Sequence, residues 1–487
     1  MFNMSTLDSI NRDYRSSSSL VVVFSSLSLI LMTYAALVYP IIAYDAWWYH
    51  LPFASYIFNI GGGESAFRLD YITAYRWLGF PKAWEFLQGA AWYITGSLYG
   101  VIVPQLAICL IYIFSIARFY QIPSAWMILG FFSSPMLVVH FQSTYLDLPA
   151  AICVCVSFFL FVALLRASHF SWRYAVFGVI SASIAGNIKY QSLLIEWIIT
   201  GLVGVFFCIR SDLEREKRLL IMGTLILGNI FASATAIRNM AVYGNPFYPI
   251  EVHVGEHVMF AGPESPETDA KYPTYLLEGR EIKLLEPLNF ILSVTEFDWI
   301  MRGVAPWYDL GSSSGDAPRR GPPSRTGGWG VVFVFLNGCI FLAQIIFLRR
   351  ENDQEQRYLV IGGTVLMLVT ALLPRAHELR YWLYIPLMVL TINLRALRKV
   401  PYPDIVSGGL IMMMIYGTAE AMLSPNSGLI KRQTVSMETM KNNIPLAIKK
   451  TILETSQYCE SEDYTVFKYS AAVTGLKSVV SFGKCGQ

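Results

Sequence analysis

The sequence predicts an all-α integral membrane protein with about eleven transmembrane helices, two long extracytoplasmic loops carrying interfacial helices, and a small extracytoplasmic C-terminal segment. Three observations predict it: an apolar composition, apolar runs of spanning length, and basic residues that gather on one side of those runs. Of 487 residues, 54% are hydrophobic and 15% charged, more apolar and less charged than an ordinary soluble domain. The formal net charge of +3 is too small to argue for a nucleic-acid partner, and the cations sit in short clusters between apolar spans.

The first apolar run, 20–38, follows Arg12 and Arg15. It is too long for a signal-peptide core and lacks a small-residue cleavage site, so it reads as a retained span. Further runs long enough to cross or nearly cross a bilayer lie at 99–117, 123–139, 147–165, 174–187, 191–209, 219–241, 330–348, 358–373, 381–394 and 403–422. Lys and Arg accumulate on the cytoplasmic side. With the N-terminus inside, every compact basic cluster falls on one face: Arg118, then Arg166 and Arg173, then 210–218, then Arg349, Arg350 and Arg357, and finally Arg395, Arg398 and Lys399. Lys431 and Arg432 beyond the last span run against this pattern. Residues 1–423 thus form the transmembrane domain, with outer loops at about 40–98 and 244–329, and 424–487 the extracytoplasmic tail.

In the first outer loop Pro81, Trp84, Phe86, Leu87, Trp92 and Tyr93 predict a helix in the membrane interface, where Trp and Tyr are favoured. The second holds 311–328, dense in Ser, Gly, Pro and Arg, either a lid or a linker. The tail mixes an amphipathic helix at 444–453 with an alternating run at 464–469. Its Cys459 and Cys485 are a candidate disulfide outside the cell. Five further cysteines fall in apolar runs, and no Cys/His metal spacing occurs.

A few polar residues at span ends demand an explanation. Asp45, directly after the first span, would cost roughly 3 kcal/mol at mid-membrane, so it faces water or a partner; it suits a general base, or an exposed loop end. Asp147 opens the fourth span on the same face, either as a second acid or as an ordinary helix start. Lys189, in a turn between two spans, is either an anion ligand or a snorkelling side chain. Arg238 and Arg380, near outer span ends, raise the same question, and the guanidinium fork matches phosphate oxygens. Two carboxylates and three cations converging on one face match what transfer from a lipid-phosphate donor requires.

The local words at these positions are Tyr44-Asp45-Ala46 with Tyr49-His50-Leu51-Pro52, Tyr145-Leu146-Asp147-Leu148-Pro149, Ile188-Lys189-Tyr190, Arg238-Asn239 with Gly244-Asn245-Pro246, and His377-Glu378-Leu379-Arg380-Tyr381-Trp382. In their order and sidedness they resemble the GT-C superfamily of polytopic membrane glycosyltransferases, the group of protein O-mannosyltransferases and the lipid A aminoarabinose transferase. The resemblance implies an inverting transferase with a polyprenyl-phosphate sugar donor and a lipid, glycan or protein acceptor. It implies Asp45 as catalytic base, Asp147 as second acid, and Lys189 and Arg380 as donor-phosphate contacts; Arg238 joins them as a candidate by its own chemistry. Tyr49, His50, His377 and Glu378 become substrate-pocket candidates. The chain departs from the family's frequent paired acid, because Ala46 follows Asp45; no metal ligand is assigned, and a divalent metal stays an alternative.

Three other readings remain: a transporter or flippase, since intramembrane charges also mark substrate paths; an O-antigen ligase or polymerase; and a noncatalytic subunit of a membrane complex. No internal repeat relates two halves of the chain, which weighs against the transporter. Short loops and the absence of an evident eukaryotic retention signal favour a bacterial inner membrane with the site on the periplasmic side.

Overall fold

The structure is a computed structural model of the chain, and it describes residues 19–38, 46–60, 71–166, 170–209, 214–254, 257–264, 275–277, 280–282, 287, 290–291, 294, 329–373, 376 and 379–423. Asp45, His377, Glu378, the 311–328 stretch and the tail with Cys459 and Cys485 lie outside the described residues.

The described chain is mostly helical, and helices occupy every predicted apolar run. In order they are α1 (Ser19–Val38), α2 (Leu51–Phe58), α3 (Tyr71–Gly79), α4 (Ala83–Thr95), α5 (Val103–Tyr120), α6 (Ser124–Phe132), α7 (Pro135–Phe141), α8 (Asp147–Arg166), α9 (Trp172–Gly186), α10 (Tyr190–Ile209), α11 (Arg215–Ala232), α12 (Ala234–Tyr243), α13 (Val331–Ile346), α14 (Gln354–Leu372), α15 (Tyr384–Leu397) and α16 (Pro403–Leu423). Two small antiparallel hairpins depart from the all-helical expectation: β1 (Val252–Val254) with β2 (His257–Phe260), and β3 (Tyr275–Leu277) with β4 (Arg280–Ile282). Both fall in the segment 244–329 between α12 and α13, where short runs such as Val252-His253-Val254 alternate and carry β-branched residues.

Among the described residues, four helical segments are long and apolar enough to cross a membrane, or up to six if each of two bent pairs counts as one span. Eleven is therefore not reached by length and composition. Length accounts for three of the five missing spans: α9, α13 and α15 have 15, 16 and 14 residues, and at about 1.5 Å per residue they stop short of a ~30 Å hydrocarbon core. The predicted 123–139 span is broken between α6 and α7 by 97°, and the predicted 219–241 span bends by 54° between α11 and α12.

Helix α8 is the axis of the bundle. Seventeen of its residues are buried, and α5, α9, α10, α14 and α15 pack around it. Glycines let its neighbours approach: a Cβ at Gly178 of α9 would collide with the Phe161 ring, and one at Gly362 of α14 with the Phe158 ring. Small residues serve this purpose between apolar helices, whose association gains little from the hydrophobic effect in lipid. Outer helices show the complementary pattern. Leu20, Val23, Leu27, Ile30 and Tyr34 of α1 are exposed while Val21, Met32 and Ala36 face the bundle, the distribution expected when the solvent is lipid.

Candidate functional site

The site is built from a break in the bundle. Ser133 back-bonds to the Gly130 carbonyl at 2.6 Å, and Pro135 opens α7 because its missing N–H costs nothing at a helix start. The chain therefore turns sharply, and α7 with the irregular segment 142–146 lies wholly buried. Irregular backbone at that depth needs hydrogen-bond partners. Glutamines supply them: Gln105 Nε2 donates to the His140 carbonyl at 2.7 Å, and Gln88 Nε2 of α4 to the Thr144 carbonyl at 2.9 Å.

This segment delivers Asp147 to the N-terminus of α8, where a carboxylate is favoured by the helix dipole. Lys189, from the turn between α9 and α10, donates to Asp147 Oδ1 at 2.5 Å. The acid is 3% exposed and the lysine 17%, so one end of the pair is sealed and the other still meets the surroundings. The Lys189 ammonium also lies 4.3 Å from the centre of the Tyr381 ring. Arg380 joins from the short helical turn Leu379–Trp382: its guanidinium carbon stands 4.9 Å from the Tyr381 ring centre and 5.5 Å from that of Tyr145, and its Nη2 donates to the Tyr381 hydroxyl at 3.0 Å. Desolvated cations over aromatic faces gain up to about 2 kcal/mol each. Asp147 feels the charges of Lys189 and Arg380 together.

Of the predicted site residues, then, the structure brings Asp147, Lys189 and Arg380 into one cluster. Arg238 is placed elsewhere. Its Nη2 donates to the carbonyls of Leu78 and Gly79 at 2.8 and 3.2 Å and to Asn239 Oδ1 at 2.6 Å, so it caps the C-terminus of α3, and none of its contacts among the described residues is with Asp147, Lys189 or Arg380. The same corner is tied by Tyr190, whose hydroxyl meets the Gly79 carbonyl at 2.7 Å. Gly79 is required there, since a Cβ would strike the Tyr248 carbonyl.

His50 and Tyr49 form a second nest just before α2. His50 Nδ1 pairs with Glu85 Oε1 at 2.7 Å, both buried, and Tyr49 packs on His50, Phe53 and Phe80 with the Arg76 guanidinium over its ring. Arg76 is itself held by a fork to Glu264 at 2.9 and 3.0 Å. Helix α4, predicted as interfacial, joins the two nests: Glu85 faces His50, while Trp84 packs on Leu146 and Ile188, the neighbours of Asp147 and Lys189.

Two residues escaped the sequence reading. His140, fully buried on α7, stacks on Tyr145 at 5.6 Å between ring centres. Glu196, 1% exposed within α10, has the Ser157 hydroxyl 2.7 and 2.9 Å from its two oxygens and no cation partner among the described residues. The signal for Glu196 was a lone charge inside the 191–209 run, whereas His140 fell one residue beyond the 123–139 run and read as the start of a loop. Among the described residues no group of three or more His, Cys, Asp or Glu is arranged to hold a metal ion. Comparison with protein-family models, with curated proteins and with solved structures gave no match.

Proposed function

We propose that this chain is an inverting membrane glycosyltransferase that moves a sugar from a polyprenyl-phosphate donor to a lipid, glycan or protein acceptor at the extracytoplasmic face. The observation that carries the reading is the convergence of Lys189 and Arg380 on the Tyr381 ring beside Asp147. Two cations from separate parts of the chain, held by aromatic faces at the end of the central helix, suit a phosphate bound at the membrane boundary. In the transfer, an acceptor hydroxyl gives its proton to a carboxylate, for which the sequence offers Asp45. The oxygen attacks the anomeric carbon from the side opposite the phosphate, and the carbon–oxygen bond to phosphate breaks with its electron pair going to the phosphate. Lys189 and Arg380 stabilise that departing charge; Asp147 fixes the lysine. In this reading the shorter helices complete about eleven spans, with the N-terminus cytoplasmic and the site on the periplasmic side of a bacterial inner membrane.

The test uses membranes carrying the full chain and a panel of polyprenyl-phosphate hexoses. Release of polyprenyl phosphate is expected from at least one, and Lys189→Ala or Arg380→Ala should lower it by ~10²-fold, the usual loss when one group stabilising developing charge is removed. Absence of release with every hexose, or variants that release at the wild-type rate, would refute the reading. One observation favours transport instead: the 97° break between α6 and α7 is of the kind that forms substrate sites in transporters. Movement of the intact donor lipid between leaflets without cleavage would establish that alternative.

A further inference from the structure

The chemistry of His140 is unused in the transfer just described. Its Nδ1 lies 2.9 Å from the Met136 carbonyl. A carbonyl only accepts, so Nδ1 carries the hydrogen and, in the neutral ring, Nε2 presents a lone pair. That Nε2 is buried and has no hydrogen-bond partner among the described residues, in a side chain that is 0% exposed. An orphaned buried acceptor is costly, by about 1–3 kcal/mol, and in native proteins such groups mark a ligand, a water or strain. The surroundings favour a ligand. His140 stacks on Tyr145, the ring over which Arg380 lies, and it interacts electrostatically with Asp147, Arg380 and Lys189. The same segment is held rigid by the glutamine bond from Gln105 to the His140 carbonyl, so the imidazole is fixed in place before anything binds.

We infer that Nε2 of His140 accepts a hydrogen bond from a hydroxyl of the sugar carried by the bound substrate, and so determines which hydroxyl pattern the site takes. A phosphate cannot fill this role, because its ionised oxygens donate nothing; a sugar hydroxyl can, and it sits one bond system away from the phosphate that Lys189 and Arg380 hold. The inference rests on the transferase reading for its substrate class. Its physical consequence is strong selectivity: a site built around a hydroxyl rejects the analogue lacking it by up to about 10⁴–10⁵-fold, because the buried acceptor is then left bare.

Two measurements on the full chain in lipid nanodiscs test it. The first compares polyprenyl-phosphate hexoses with their singly deoxygenated counterparts. The wild type should discriminate sharply at one hydroxyl, and His140→Phe, which keeps the ring stacked on Tyr145, should collapse that kcat/KM ratio at least tenfold while polyprenyl phosphate itself still binds. His140→Gln, whose side-chain oxygen can accept, should recover part of the ratio. A His140→Phe ratio equal to the wild type's, with transfer intact, overturns the inference and leaves the transferase reading standing. The second measurement does not depend on transfer. With histidine ¹⁵N-labelled, the bare Nε2 resonance of His140, assigned by its loss in His140→Phe, should move toward the protonated-nitrogen region on addition of methyl hexosides. A resonance unmoved by the methyl hexosides and by the lipid-linked hexoses means that water alone satisfies the nitrogen, and sinks the proposal even if the enzyme proves to act on another substrate.

Discussion

Helix α8 carries an ionic cluster at each end, about 30 Å apart along its length, and the two are built differently. At its C-terminus Arg166 donates to Glu355 at 2.6 Å, and Arg395, 1% exposed, donates to Asp353 at 2.7 Å, to Glu355 at 2.9 Å and also to the Gln356 side chain. Asp353 further caps α14 through the amides of Glu355 and Gln356. Within that cluster carboxylates and guanidiniums answer one another, and Nε of Arg395 is buried without a hydrogen-bond partner among the described residues. At its N-terminus, among the described residues, Asp147 holds the Lys189 ammonium, aromatic rings lie against Lys189 and Arg380, and Nε2 of His140 has no hydrogen-bond partner. The lesson is that a buried cation answered by several carboxylates makes a structural clamp, whereas a lone buried acceptor beside a partly exposed lysine leaves groups for a ligand.

The largest effect should come from breaking the clamp. Arg395→Ala leaves Glu355 and Asp353 without their buried cation and should destabilise the fold by roughly 3–5 kcal/mol, read as a fall in thermal midpoint, with the outer cluster untouched. If that variant instead loses polyprenyl-phosphate binding at unchanged stability, the division between clamp and site is wrong. Next comes Lys189→Met, which strands Asp147. It should cost about 2–4 kcal/mol of stability, a little less than a fully sealed pair because the lysine is partly exposed. Adding Asp147→Asn should restore most of the stability and none of the phosphate-lipid binding, a coupling that a double-mutant cycle measures.

A third test concerns Lys82, in the short link between α3 and α4. Its ammonium donates to the Phe80 carbonyl at 3.0 Å and lies 4.8 Å from the Trp77 ring centre. Burial first, and then the charge of Arg238, lower its pKa to about 8, with Glu85 opposing them. The ordinary value is 10.5, so between those values the unfolded chain binds more protons than the folded one, and stability rises with pH across that window. Thermal midpoints of wild type and Lys82→Met between pH 7 and 11 should show that rise in the wild type and its loss in the variant. A wild type whose stability falls through the window contradicts the assignment. The smallest effect is expected at Glu196→Gln: the amide keeps the shape and can still bond Ser157, so stability should change by less than about 1 kcal/mol. A loss of several would mean that the charge at Glu196 is itself needed.

Much of the fold was legible because hydropathy over a span-length window is an average, and averages survive the details of packing. The same averaging hid the break at Ser133 and Ser134, which lowers a window's apolarity only slightly but turns the chain through 97°. It also hid Glu196, one charge among nineteen other residues of α10. The grouping of Asp147, Lys189 and Arg380 could be read because the sidedness of basic clusters puts all three on one face. Arg238 met the same criterion and yet caps α3, since side-chain partners such as the Leu78 and Gly79 carbonyls, 160 and 159 residues away in the chain, leave no trace in composition. His140 passed unremarked for a similar reason: an orphaned lone pair is a property of packing.

The account stands or falls on whether Lys189 and Arg380 hold a lipid phosphate. The direct measurement is an experimental structure of the chain in nanodiscs with a short-chain polyprenyl phosphate. It should show phosphate within hydrogen-bond distance of the Lys189 ammonium and the Arg380 guanidinium, at the Asp147 end of α8. Phosphate bound instead at the Arg166 and Arg395 end, or a lipid whose headgroup avoids both residues at saturating concentration, would contradict it.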